Sequence, residues 1–223
     1  MPLSQLESSR NTLPSNLQQV FIVNPDRVSN SVTSNMLKPI QVKMREFLSP
    51  NELLNVLPIS SPACFLIDFV LPEIHGLHLM EQLRRNNCYQ PCIFVSSRVE
   101  PELIVTAMNR GAFGFVKRPF QSMELIDTVQ RALNHDQAIS PYIRVATKYQ
   151  NNRSKLTRRE QDVLSLLEIG RTAREIGEQL QLSYRTVENH RMRIFRKLGI
   201  QLHAQLIQQV TALNLLRANG TIF

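Results

Sequence analysis

One carboxylate lies where a parallel sheet usually carries its chemistry. Asp68 directly follows the apolar run CFLI at positions 64–67. Continuous apolar runs are typical of strands that a parallel sheet buries on both faces. Ligands of such sheets bind beyond the carboxyl ends of the strands, so Asp68 is a candidate site residue. A solvated aspartate at a strand end would give the same pattern.

A second group of functional side chains lies on one helix in the C-terminal third. At about 100° per residue, Val187, Ile194 and Leu198 fall within about 40° of one another and predict a buried stripe. Asn can bind adenine, Glu can accept from cytosine, and Arg can bind guanine or phosphate, so the opposite arc predicts a nucleic-acid interface. A merely solvated charged face is the alternative. The arc carries Arg185, Glu188, Asn189, Met192, Arg193 and Arg196.

The elements that must position Asp68 alternate regularly along the chain. Apolar runs predict five strands, at 20–23, 42–47, 64–67, 92–95 and 113–116. Amphipathic stretches predict five helices, at 27–38, 50–57, 77–85, 101–110 and 122–133. This alternation predicts an α/β domain, a flavodoxin-like, doubly wound, five-stranded parallel sheet, over residues 18–135. Residues 1–17 are expected to form an N-terminal tail.

The C-terminal third reads as all-helical. Helices are expected at 158–169, 173–180, 184–198 and 203–217, with the second and third separated by the short turn that a helix-turn-helix requires. Thr157 with Glu160, and Thr172 with Glu175, fit the S/T-x-x-E capping box. This four-helix domain is expected over 155–223. The segment 136–154, which contains a proline and shows little periodicity, is expected to be the linker.

Composition excludes several functional classes. The chain has 26 basic and 18 acidic residues, a formal charge of +8, and most of the excess lies after residue 150. Its 7 glycines are dispersed, so no Gly-rich loop is available for a nucleotide phosphate. The 3 cysteines form no C-x-x-C pair, and no apolar stretch is long enough for a signal peptide or membrane span. We therefore expect a cytoplasmic protein with no membrane partner.

The string LTRREQDVLSLLEIGRTAREIGEQLQLSYRTVENHRMRIFRKLGI resembles the LuxR/FixJ (NarL) type of helix-turn-helix. The resemblance implies contacts to base edges from Arg185, Glu188, Asn189 and Met192. It implies contacts to phosphates from Thr172, Arg193, Arg196 and Lys197. Gly177, where many relatives have alanine, is interpreted as a small residue that lets the second helix pack closely.

The N-terminal segment resembles the receiver domain of two-component response regulators. Asp68, Pro72 and Gly76 have the spacing D-x-x-x-P-x-x-x-G, and Ser96, Phe115 and Arg118-Pro119-Phe120 also match. The resemblance implies that Asp68 accepts phosphate from a histidine kinase, beside a Mg²⁺ ion bound in part by the carbonyl of Val70. It implies that Ser96 follows the phosphate, that Phe115 is a switch residue, and that the Arg118-Pro119 bond is cis. Ser96 could instead cap a turn, and Phe115 could belong to the core.

Two departures from the receiver pattern change the expected chemistry. The acidic pair after the first strand is replaced by Asn24 and Pro25, and Asp26 is shifted by one residue onto the next helix. Arg118 stands in place of the family's lysine and could pair directly with Asp68. We therefore predict a receiver that is phosphorylated poorly or not at all, and we do not expect a bound cofactor or a firm Mg²⁺ site.

The leading hypothesis is a DNA-binding transcription regulator without enzymatic activity. Two copies would bind paired half-sites of double-stranded DNA, which makes homodimerisation the control point and RNA polymerase a further partner. Whether a histidine kinase is also a partner stays open.

Three alternatives stay open. The first is a conventional response regulator that is activated by phosphorylation at Asp68, and the second is a protein-interaction adaptor that does not bind DNA. The third is an enzyme, for which the sequence offers a single well-placed carboxylate. A zinc site at His75 and His78 with Cys88 and Cys92 has no standard spacing and is not favoured.

Overall fold

The computed structural model describes residues 18–59, 62–98 and 100–218, and the expected N-terminal tail lies outside them. The chain divides into two compact units, Met1–Ala138 and Ile139–Phe223. Within the described part of the chain, no helix is long and apolar enough to cross a membrane.

A parallel sheet forms the centre of the first unit. Its strands are β1 (Gln19–Val23), β2 (Lys43–Phe47), β3 (Ala63–Asp68), β4 (Cys92–Ser96) and β5 (Gly114–Lys117). They pair in parallel in the order β2-β1-β3-β4-β5, which confirms the predicted doubly wound sheet.

Both faces of this sheet are buried, because successive residues of each strand point to opposite sides. Phe21, Phe65 and Phe94 belong to a core cluster on one face, which α2 (Pro50–Leu54), α3 (Gly76–Arg85) and α4 (Pro101–Asn109) cover. On the other face the core is completed by α1 (Arg27–Leu37) and by the first part of α5 (Ser122–Arg153). Burial on both faces explains why the strands are continuous apolar runs.

Helix α5 is a correction to the sequence prediction. It runs unbroken from Ser122 to Arg153, with Pro141 inside it, so the helix does not end at 133 but continues through the segment expected to be a linker. Ala146 and Tyr149 are 0% and 1% exposed, and the last part of α5 belongs to the second unit. Packing of these side chains offsets the helix-breaking tendency of the proline.

The second unit adds four helices to the end of α5. They are α6 (Arg158–Glu168), α7 (Ala173–Leu180), α8 (Tyr184–Leu198) and α9 (His203–Ala218), close to the predicted positions. Both predicted capping boxes are present, at Thr157 and Thr172. The predicted stripe of α8 is buried, with Val187, Ile194 and Leu198 all 0% exposed.

Candidate functional site

Both carboxylate oxygens of Asp68, at the end of β3, accept hydrogen bonds. Oδ2 accepts hydrogen bonds from Nη1 of Arg118 at 2.5 Å and from Nδ2 of Asn24 at 3.3 Å. Oδ1 accepts from the backbone N–H of Val70 at 3.0 Å. The Asp68 and Arg118 side chains are only 13% and 25% exposed, so the ion pair is largely shielded from water. The direct pairing of Arg118 with Asp68, which the sequence suggested, is therefore present.

Arg118 reaches Asp68 because it follows β5 at the same edge of the sheet. Its backbone N–H donates to the carbonyl of Ser96 at 2.7 Å, which extends the pairing of β5 with β4 by one residue. The neighbouring Lys117 is exposed, as the alternation of side chains along a strand predicts. The Arg118-Pro119 bond is cis, as the resemblance implied.

The motif glycine has a packing role beside Asp68. A Cβ on Gly76, the first residue of α3, would lie 2.9 Å from the carbonyl oxygen of Asp68. A contact this short cannot be accommodated without moving the backbone. Gly76 thus lets α3 begin directly against the residue that carries the candidate carboxylate.

Asp26 does not replace the missing acidic pair. Its carboxylate caps α1 by accepting from the backbone N–H groups of Val28 and Ser29 and from the Ser29 hydroxyl, at 3.0, 3.2 and 2.6 Å. These bonds, the Ser29 hydroxyl foremost, lower the pKa of Asp26. Asn24 is 5% exposed, and its Oδ1 accepts from the backbone N–H of Asp26 at 2.9 Å. Pro25 has no side-chain ligand.

The residues around Asp68 do not fit a Mg²⁺ ion. Mg²⁺ needs several oxygen ligands in near-octahedral geometry, usually including carboxylates. Here one carboxylate faces the pocket and both its oxygens already accept hydrogen bonds. Nowhere in the described ranges do three His, Cys, Asp or Glu side chains form a group that could hold a metal ion.

His75, Cys88 and Cys92, which raised the zinc question, are engaged in packing, whereas His78 is exposed. His75 lies edge-on against Phe69, with the ring centroids 4.3 Å apart, and burial lowers its pKa. Cys88 and Cys92 are buried, and burial raises the pKa of Cys92 to about 12. Thiols in such surroundings stay protonated and are poor metal ligands.

Ser96 and Phe115 are engaged with neighbours other than Asp68. The Ser96 hydroxyl donates to the carbonyl of Arg98 at 2.7 Å and accepts from its N–H at 3.2 Å, which is the turn-capping alternative. Phe115 is half-buried and packs against Phe69, with the centroids 5.5 Å apart. The pocket proper therefore consists of Asp68, Arg118 and Asn24, together with the Val70 N–H.

The predicted nucleic-acid interface lies on the solvent-facing side of α8, opposite the buried stripe. Thr172, before α7, is also exposed, and its hydroxyl donates to Glu175 Oε2 at 2.8 Å within the capping box. Among the described residues, the exposed arginines of α8 have no carboxylate within ion-pair distance, whereas the half-buried Arg191 pairs with Glu188 at 3.0 Å. The exposed members of the predicted set on α8 are Arg185, Asn189, Met192, Arg193 and Arg196.

Lys197 forms an ion pair with a carboxylate of its own domain. Its Nζ donates to Oε2 of Glu160 at 2.6 Å, and Glu160, 4% exposed, also accepts from the backbone N–H of Thr157 at 2.8 Å. Burial raises the pKa of Glu160, but the bonds from Lys197 and Thr157 outweigh it and hold the pKa below its ordinary value. The pair joins α8 to the first turn of α6.

The turn between α7 and α8 requires a glycine at position 177. A Cβ on Gly177 would lie 2.7 Å from the carbonyl oxygen of Leu182, and the Leu182 N–H donates to the carbonyl of Gly177 at 2.8 Å. Gln181 adopts the left-handed conformation at φ 56°. The glycine therefore permits close packing, as expected from the sequence.

Sequence reasoning missed the contribution of α5 to the second unit. The Tyr149 hydroxyl donates to the carboxylate of Glu168, and Nδ2 of Asn152 donates to the carbonyl of Leu198 at 3.4 Å. Burial, more than this hydrogen bond, raises the pKa of Tyr149. A signal was available, since apolar residues recur at helical spacing at 139, 143, 146 and 149.

Fold and pocket together define the class of protein: a receiver-type α/β domain followed by a helix-turn-helix domain. Comparison with known families agrees. Residues 20–130 match the response regulator receiver domain, and residues 154–210 match the bacterial regulatory proteins of the luxR family.

Individual relatives extend the match over most of the chain. The transcriptional regulatory protein UhpA of Escherichia coli (strain K12) is 32% identical over 175 residues, covering 78% of this chain and 87% of that protein. TdiR of Thauera aromatica is 28% identical over 199 residues, covering 89% and 88%. The solved structure of the response regulator StyR has a TM-score of 0.57 at 26% identity and covers 87% and 98%.

The chain therefore belongs to the response regulators with a LuxR-type DNA-binding domain, the NarL/LuxR family. It is a DNA-binding transcription regulator of the two-component type, a class that generally has no enzymatic activity. Receiver domains usually have histidine kinases as partners.

Proposed function

We propose that this chain is a cytoplasmic, sequence-specific transcription regulator whose receiver is phosphorylated poorly or not at all at Asp68. One observation carries the proposal: Nη1 of Arg118 lies 2.5 Å from Oδ2 of Asp68. The site lacks the second and third carboxylates that would recruit Mg²⁺, and its cation neutralises the acceptor itself.

Phosphoryl transfer to Asp68 needs one carboxylate oxygen free to attack phosphorus. Attack by Oδ2 would break its hydrogen bonds from Arg118 and Asn24, and attack by Oδ1 would break its hydrogen bond from the Val70 N–H. Without a metal ion, the repulsion between the carboxylate and the incoming phosphoryl oxygens is left to Arg118, whose charge is already paired with Asp68. Arginine adds to the barrier because its planar guanidinium holds a carboxylate more specifically than a lysine does.

DNA binding is proposed to use the solvent-facing arc of α8. Base edges would be read by Arg185, Glu188, Asn189 and Met192, and phosphates would be bound by Thr172, Arg193, Arg196 and Lys197. Lys197 is expected to contribute least to affinity, because Glu160 already neutralises it. Two copies on half-sites about one helical turn apart make a homodimer the binding species and dimerisation the control point, with RNA polymerase as a further partner.

Phosphorylation is tested with the purified full chain, acetyl phosphate and Mg²⁺. We expect wild type and Asp68→Ala to show the same background labelling. A repaired variant, Asn24→Asp/Pro25→Asp/Arg118→Lys, should gain labelling that Asp68→Ala abolishes, and its circular dichroism confirms that it is folded.

Mg²⁺-dependent labelling of wild type that Asp68→Ala removes would overturn the proposal and establish the conventional phosphorylation-activated regulator. If the repaired variant folds but stays unlabelled, the three substituted positions are not what blocks the reaction, and the physical argument fails.

A further inference from the structure

A cavity of about 370 Å³ opens in the first unit beside the ion pair. It lies between α1 and the segment that follows β5, and its size falls within the roughly 300–1,000 Å³ of small-molecule sites. Its walls are mainly apolar. They include Val28, Val32 and Met36 from α1, and Pro119 and Phe120 after β5.

Two polar groups in this cavity have hydrogen-bonding capacity that the protein does not use. Thr33 lines the cavity and is 3% exposed, yet its hydroxyl makes no hydrogen bond to any described residue. Arg118 also lines it and gives Nη1 to Asp68, while its remaining guanidinium N–H groups donate to none of the described residues. Both groups border the open cavity, where water can bind them, so a ligand that displaces this water keeps its affinity only if it supplies an acceptor.

The local charge selects an uncharged ligand. Arg118 already pairs with Asp68. A carboxylate on the ligand would be repelled by Asp68 and would compete with it for the guanidinium. The Phe120 ring and the Met36 thioether favour a flat, polarisable body.

We propose that this cavity binds a small, uncharged molecule with a planar apolar body and one carbonyl oxygen, which accepts from the Thr33 hydroxyl and from the free N–H groups of Arg118. Binding at this site does not depend on how Asp68 reacts. A regulatory effect of the ligand on DNA binding does rest on the proposed function, because the ligand would act on the guanidinium that neutralises Asp68.

Three probes of nearly identical shape test the proposal. 2-Acetylnaphthalene carries the carbonyl, 2-isopropenylnaphthalene replaces its oxygen by CH₂, and 2-naphthoate replaces its methyl group by a charged oxygen. Each is titrated into the ¹³C-methyl-labelled full chain while the methyl signals of Val28, Val32 and Met36 are followed. We expect saturable shifts with the ketone, an affinity more than about tenfold weaker for the alkene, which loses the hydrogen bonds from Thr33 and Arg118, and weaker binding of the naphthoate, which Asp68 repels.

The variant Thr33→Val removes the hydroxyl and keeps the side-chain shape. It should weaken the ketone about fivefold to tenfold and leave the alkene unchanged, so that the difference between the two probes narrows to the contribution of Arg118. Thr106→Val is the matched control, because Thr106 is a helical threonine in α4 whose hydroxyl donates to its own helix at Glu102. It should change neither affinity.

Four outcomes would overturn the proposal. These are naphthoate binding most tightly, alkene and ketone binding equally to wild type, no saturable ketone shift up to about 1 mM, and methyl shifts on protein concentration alone, which would identify a second copy as the occupant. None of them bears on acetyl phosphate labelling, so failure here is distinct from failure of the proposed function.

Discussion

In each unit of this protein, a basic side chain that was predicted to contact a phosphate group forms an ion pair with a carboxylate. In the first unit Arg118, at the position of the receiver lysine, lies 2.5 Å from Asp68. In the second, Lys197, a predicted DNA-phosphate contact, lies 2.6 Å from Glu160. The distances are nearly equal, but the surroundings differ. Arg118 borders an open cavity, whereas Lys197, itself 34% exposed, pairs with a carboxylate that is only 5% exposed.

The difference shows that the ion pair has a different consequence in each unit. At the edge of the sheet, the pair engages Asp68, the residue on which the family's phosphoryl transfer depends, so its consequence is chemical. Between α6 and α8 the pair satisfies a buried carboxylate that also belongs to a capping box, so its consequence is structural. The unpaired, exposed arginines of α8 are left to bind phosphate.

The largest effect is expected at those exposed arginines. Arg185→Ala/Arg196→Ala should weaken binding to a cognate fragment about a hundredfold, since a good arginine contact is worth about 1–3 kcal/mol. The dependence of log affinity on log salt should also fall by about one for each lost phosphate contact. Gel retardation across a salt series measures both.

Arg144→Ala, an exposed arginine on α5, is the matched control for charge and should have little effect. Lys197→Met should weaken binding less than threefold, about 0.6 kcal/mol, because its charge is already neutralised. Unchanged retardation of the double variant would place the DNA-binding face elsewhere. Absence of any salt-dependent binding in wild type would favour the adaptor.

The next effect is on stability. Lys197→Met should lower the free energy of unfolding of the second unit by about 2 kcal/mol, because Glu160 is left buried without its cation. Urea denaturation of the full chain, followed at the Ile194 methyl signals, measures it. Lys148→Met, at an exposed lysine on α5, should shift the midpoint little. Equal shifts in the two variants would show that the pair is not structural.

The same pair predicts a pH dependence. The folded-state pKa of Glu160 lies below its ordinary value of 4.5, so its stabilisation is fully present above that pH and is lost as the pH falls through the lowered pKa. Wild type and Glu160→Gln should therefore differ most near neutral pH and converge in acid. Urea midpoints at a series of pH values test this, and a gap that widens in acid would reverse the sign.

The smallest effect is expected at the receiver pair. Arg118→Met should cost less than about 1 kcal/mol, since water from the adjoining cavity can hydrate Asp68 while Asn24 and the Val70 N–H still donate to it. The Ile67 methyl signals report unfolding of this unit, and Lys117→Met is the exposed neighbouring control. A loss as large as that of Lys197→Met would remove the contrast between the two pairs.

Much of the fold was predictable because it is encoded in local patterns. Apolar runs located the five strands, and the capping residues Thr157 and Thr172 mark where α6 and α7 begin. The spacing around Asp68 and along α8 placed the candidate residues on the right elements. Helix α5 was mispredicted because Pro141 weakened the local signal, and burial of Tyr149 in the second unit outweighed it.

By itself the sequence determined the sheet, the helix-turn-helix and the positions of the charged side chains, since periodicity and capping act over a few residues. It could raise the pairing of Arg118 with Asp68 but not establish it, and it assigned Lys197 to DNA. The partners in these pairs are 50 and 37 residues apart along the chain. Only the tertiary structure decides which charges meet at such separations, because packing brings the elements together and burial makes an unpaired charge too costly to leave.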